Sequence, residues 1–176
     1  DKGYRETKEE LTDLPLLPML AQDYLKQGHR IQYPCYVMPK LDGVRCLAIR
    51  HEEYVELKSR GGKPYIVPRV QDAMFRAMDV GDVWDGELYW HGACLEEITS
   101  AVKREDAREY AMKCRLDYEN AVGDKAIEKA YKEAENADLI HELRDKLEFH
   151  IFDVVNDKPY DERLALLELI EDGLNP

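Results

Sequence analysis

No run of apolar residues in this 176-residue chain approaches the ~20 that a bilayer-spanning helix needs. The opening stretch DKGYRETKEELTD is too charged to serve as a secretory leader. Together these absences lead us to expect a soluble, intracellular protein that does not engage a membrane. The four cysteines, at positions 35, 46, 94 and 114, form no CxxC pair and follow no regular spacing. Neither a disulfide framework nor a zinc site is indicated, and free, mostly packed thiols are expected. His91 and Cys94 stand close together, but no second pair completes a metal site. Internal repeats and low-complexity tracts are also lacking.

Overall charge is strongly negative, at −12, which excludes a simple nucleic-acid coat. Its distribution is uneven. Residues 24–69 hold nine Lys and Arg against four Asp and Glu, a net of +5, whereas residues 95–176 hold twelve against twenty-two, a net of −10. A phosphate-handling face on an acidic body would show this imbalance.

Hydrophobic periodicity divides the chain coarsely. Residues 1–17 form a solvated, then proline-punctuated lead, and a short helix ends near Gly28. YVM (36–38), VRCLAIR (44–50) and EYVELKS (53–59) have strand character, and Gly61-Gly62 with Pro64 closes that unit. VPRVQDAMFRAM (67–78) places apolar side chains at 67, 70, 74, 75 and 78, which is helical spacing. VWDGELYW (83–90) returns to a strand. Residues 96–146 form a charged helical segment broken at Gly123-Asp124, expected to be a structural or partner-facing layer. KLEFHIFDVV (146–155) is another strand, and DERLALLELIEDG (161–173) an amphipathic helix. The order of elements predicts an α+β fold with a mainly antiparallel sheet.

Chemistry concentrates in K-x-D-G-x-R, formed by Lys40, Asp42, Gly43 and Arg45. Gly43 permits a tight backbone turn, and Lys40 projects an amine from a strand end. An amine attacks only when deprotonated, a state that neighbouring positive charge favours, and Arg45 or a bound metal could supply that field. Asp42 acts in the opposite sense, so its expected task is to organise the turn, a metal-bound water or a substrate hydroxyl. Arg60, in Ser59-Arg60-Gly61-Gly62, sits in a glycine-rich loop able to reach a phosphate. In Asp85-Gly86-Glu87-Leu88, strand alternation aims Glu87 opposite to Leu88. Phe152 offers a ring for stacking on a base, although a phenylalanine among strand formers is commonly plain core.

KLDGVR, SRGG, DGELY and FHIFDVV occur in the order of motifs I, Ia, III and IIIa of the covalent nucleotidyltransferases, and the chain resembles that family over about residues 18–155. PMLA (18–21) and PKLDGVRC look most like ATP-dependent DNA ligases of the small viral and phage type. The resemblance implies an antiparallel-sheet, ATP-grasp-like adenylation fold with the nucleotide between two sheets, Lys40 on the pocket floor and a helical insertion at 96–146. It implies ATP and magnesium, or another divalent cation, as cofactors and nicked duplex DNA as partner. Lys40 would be the nucleophile that forms lysyl-AMP. Arg45 would contact the nucleotide, Arg60 the nick 5′-phosphate or the nucleotide, Glu87 the ribose or the metal, and Phe152 the adenine. Met38 stands where cellular ligases often carry a glutamate that reads the adenine amino group, so backbone groups would select the base here. A monomer in the cytoplasm is expected, the host's cytoplasm for a viral protein, with the nucleus left open.

After Phe152 the family pattern continues with an acidic motif IV, a K-x-K motif V and an OB domain, none of which occurs in residues 156–176. The expectation is therefore a partial adenylation domain that by itself forms lysyl-AMP poorly or not at all. Two alternatives share these motifs: an RNA ligase or mRNA-capping guanylyltransferase, which ATP against GTP labelling would separate, and a catalytically inactive nucleic-acid-binding domain.

Overall fold

The computed structural model describes residues 22–174 of the chain. The 1–17 lead and the PMLA segment lie outside the described residues. Asp23 starts the first helix, α1 (Tyr24–Gln27), by accepting the Leu25 N–H at 3.0 Å, and a 3-10 turn, Gly28–Arg30, follows.

Five strands follow in the chain: β1 (Val44–Arg50), β2 (Val55–Ser59), β3 (Pro64–Tyr65), β4 (Val83–Tyr89) and β5 (Glu148–Val154). They form one open sheet in the order β3-β2-β1-β4-β5, antiparallel throughout. The coarse α+β expectation holds, with six helices among the described residues. A second sheet is not formed by the described residues, so the expected enclosure of a ligand between two sheets is not seen there.

The expected strand at residues 36–38 is also absent: Tyr36, Val37 and Met38 are exposed and belong to no ladder. Both flanks of β1 are occupied by β2 and β4, which leaves no edge beside it. Pro34 and Pro39 bracket the stretch and have no N–H to give a ladder.

Strand alternation gives the sheet two unlike faces. Cys46, Ala48, Val55, Leu57, Trp84 and Leu88 are all buried on one face. That face is covered by α2 (Pro68–Ala77), α3 (Leu95–Lys103) and the last turns of α5 (Asp124–Arg144), through Val70, Met74, Ile98, Val102, Ile140 and Leu143. Within the 67–78 pattern, Val67, Val70, Met74 and Met78 are buried as expected. Phe75 instead turns outward, 38% exposed, with the Arg50 guanidinium 3.6 Å above its ring. The α2 register is fixed further by Gln71, whose amide donates to the Val55 carbonyl at 2.9 Å.

The charged helical segment resolves into three helices, with α4 (Ala107–Glu119) between α3 and α5. Its break falls at Gly123, where φ is +93°, a backbone region that favours glycine. Ala111, Cys114, Ala134 and Ala137 form a seam between α4 and α5 small enough for close approach, while α3 and the end of α5 contribute to the main core. Arg144, near the end of α5, is 8% exposed and donates to the carbonyls of Ala101 and Val102 at the end of α3 and of Ile66 ahead of α2. It ties three elements together. The last helix, α6 (Tyr160–Leu174), packs beside β5, with Leu166, Leu167 and Ile170 against the core. No helix among the described residues is long and apolar enough to cross a membrane.

Candidate functional site

The second face of the sheet carries most of the chemistry-bearing residues. Because β1 and β4 pair Arg45 with Glu87 and Leu47 with Asp85, these side chains share one face by register alone. Asp85, only 4% exposed, accepts a two-pronged bond from Arg45, at 2.7 Å to Nε and 2.5 Å to Nη2. Such a paired fork fixes the guanidinium plane as well as its position. Burial pushes the Asp85 carboxyl above the ordinary aspartate range; Arg45 opposes that shift and nearby Asp153 adds to it.

Glu87 is likewise raised, chiefly by burial, with the Gly43 backbone, Arg45 and Lys40 pulling the other way. Lys40 is therefore within electrostatic reach of Glu87, and its backbone lies in the extended stretch leading into β1. That stretch is held at both ends. Tyr36 donates its phenol to Asp161 at 2.8 Å, and its ring meets that of Tyr160 edge-on at 5.1 Å, so the start is anchored on α6. At the other end Gly43 lies so close to β4 that an added Cβ would overlap the Leu88 carbonyl oxygen and come within 2.9 Å of the Glu87 side chain. Lys40 itself is exposed rather than set on a pocket floor.

A bulge in β5 brings in the remaining residues. The ladder pairs Gly86 with Ile151 and Asp85 with Asp153, which leaves Phe152 as the extra residue. Extra residues of this kind interrupt alternation, so two consecutive side chains can serve one face. Phe152 lies under the Arg45 guanidinium at 4.5 Å from its centroid, and Asp153 is near enough to Asp85 to raise its pKa. Asp153 is in turn held by Arg163 of α6, at 2.8 and 3.1 Å.

The structure thus groups Lys40, Gly43, Arg45, Glu87 and Phe152. Asp42 is exposed and makes no hydrogen bond or ion pair among the described residues, and Met38 is 48% exposed in the same extended stretch. Arg60 is exposed in the β2–β3 turn; the Cys46–Ser59 pairing sets it at the end of the sheet where Arg45 emerges, without direct contact. The roles of Asp85, Asp153 and Arg163 were not legible in the motifs. Asp85 carried one usable signal, since it stands two residues before Glu87 and so faces the same way. Arg163 carried none, because its partner lies across an interface between elements.

As a metal site this face is sparse. Arg45 engages Asp85 and Arg163 engages Asp153, which leaves Glu87 as the carboxylate without an arginine, and no group of three or more His, Cys, Asp or Glu suited to a metal occurs among the described residues. Cys46 and Cys114 are packed thiols, but Cys35 and Cys94 are exposed. No protein-family model matches the chain, and no curated protein matches it either.

Proposed function

We propose that this chain is the adenylation module of an ATP-dependent DNA ligase, with Lys40 as the nucleophile. The observation that carries this reading is the gathering of Arg45, Glu87 and Phe152, from three separate motifs, on one sheet face, with Lys40 in the exposed stretch entering β1 within electrostatic reach of Glu87. In the first step the Lys40 amine attacks the α-phosphorus of ATP. A nitrogen–phosphorus bond forms as the α,β-bridging bond breaks, pyrophosphate departs and the amine proton is lost to solvent. AMP then passes to the 5′-phosphate of a nick, and the adjacent 3′-hydroxyl displaces it to join the strands.

Arg45, oriented by Asp85, contributes fixed positive charge beside the phosphates. Glu87 accepts a hydrogen bond from a ribose hydroxyl or shares a cation with the nucleotide, and Phe152 provides an apolar ring for adenine. Magnesium, when bound, would neutralise phosphate charge; one carboxylate with substrate phosphates and water is a donor set it accepts, and Glu87 suits that set.

Nucleotide transfer tests the proposal. Full-length protein incubated with magnesium and ATP labelled at the α-phosphate is expected to retain an acid-labile label on the peptide containing Lys40, and Lys40→Ala is expected to retain none. Unlabelled wild-type protein, or label that survives the substitution, would sink the reading. Preferential labelling by GTP would move it to a capping enzyme.

A further inference from the structure

Among the helices that cover the other side of the sheet, a cavity of about 510 Å³ opens between the start of α2, the α3–α4 connection and the end of α5. Its wall carries Arg69, Arg108, Arg144 and His141 against Glu105 and Asp145, and none of the residues around Lys40 lines it.

Three observations make this cavity anion-seeking. First, Arg144 is nine-tenths buried, yet every bond it makes goes to a carbonyl oxygen. Among the described residues no carboxylate forms an ion pair with Arg144, Arg108 or Arg69. A buried guanidinium bonded only to neutral acceptors keeps its full charge and is costly without a counter-ion. Burial lowers its pKa accordingly, with Glu105 and Asp145 acting against that shift from a greater distance. Second, Arg108 makes no hydrogen bond or ion pair among the described residues, so its five donors remain for a ligand. Third, α4 begins at Ala107 on the cavity wall with no side-chain cap, whereas at the α2 start the Val67 N–H is taken up by Gln71 and Pro68 has none to offer. The α4 N-terminus adds its partial positive charge to the arginines.

We propose that this cavity is a binding site for a small phosphate-bearing anion, gripped by Arg108 and Arg69, with Arg144 as the buried charge behind them. Glu105 and Asp145 limit the occupant. They offset part of the positive charge and would repel an extended polyanion threading past them, whereas a compact phosphate can seat against the arginines. The surrounding residues 95–176 are acidic overall, which also disfavours nucleic acid on this side.

Isotope-labelled protein titrated with inorganic phosphate and with pyrophosphate, at ionic strength held constant with chloride, gives the test. Saturable amide shifts at residues 67–70, 105–109 and 141–145 are expected, whether or not residues 40–45 also respond. Arg108→Gln removes no bond seen in the folded protein and is expected to weaken binding about tenfold, with Arg108→Lys intermediate because it keeps the charge but loses the fork. Lys129→Gln, at an exposed position of α5 that does not line the cavity, is expected to change nothing. No saturable shift, shifts confined to residues 40–45, or unchanged affinity in both Arg108 variants would overturn the proposal. Duplex DNA moving these amides where pyrophosphate does not would overturn it as well.

Discussion

At Gly43 the backbone entering β1 lies against that of β4, and this contact decides where the Lys40 amine can stand. Gly43→Ala must push the two strands apart or tilt the loop, at a cost of about 1–3 kcal/mol for forced overpacking. Gly61, with nothing within 4 Å of an added Cβ, is the control, and Gly61→Ala is expected to leave the urea midpoint within error. Glu87 yields a prediction of opposite sign. A carboxyl whose native pKa exceeds its unfolded value favours the fold while protonated, and that contribution is lost as pH rises through the native pKa. Burial raises Glu87 in this way, so Glu87→Gln is expected to be more stable than wild type near neutral pH. The difference should vanish below about pH 4, where wild type is itself protonated. Denaturation at a series of pH values checks this, and the same variant is expected to lose nucleotide transfer.

Between elements, the tie that matters most to the site is that of β5 with α6. Asp153 and Arg163 are 14% and 13% exposed at the side chain and meet at 2.8 Å, well sheltered from solvent. A double-mutant cycle with Asp153→Asn and Arg163→Gln is expected to give a coupling of about 1–3 kcal/mol in urea unfolding, and an additive result would show that the contact is not energetically joined. Most strands and helices were legible beforehand. VRCLAIR, VWDGELY and the helix at 68–77 each bury one side against the same core, so local pattern and tertiary demand agree. YVM misled because strand-forming side chains say nothing about whether an edge is open to them. Phe75 misled because periodicity cannot tell a buried ring from one shielded by an arginine. Arg45 and Glu87 share a face by strand parity once β1 and β4 pair, but that pairing and its register are not written in either strand alone. The β5 bulge was not legible either, since a single extra residue leaves the composition of a strand unchanged.

Across the whole molecule, Lys40, Arg45 and Arg60 stand at one end of the sheet beside Asp42, Asp85 and Glu87, while the helical segment and α6 are acidic overall. Under the proposed function, nicked duplex DNA approaches that end and is repelled elsewhere. Arg60, exposed and unpaired among the described residues, is expected to contribute one phosphate contact. Arg60→Gln should then flatten the slope of log affinity against log salt by about 1 and weaken all sequences alike. An unchanged slope in filter binding or anisotropy would remove Arg60 from the interface. The two rims of the sheet are also unequal. At β3 it stops after two residues, one of them proline, and offers a newcomer almost nothing to zip onto. At β5 seven residues run along the rim, but the kink at Phe152 interrupts them. Any strand recruited to widen this sheet has one side on which to start, and a straight run there extends only from position 148 to 151.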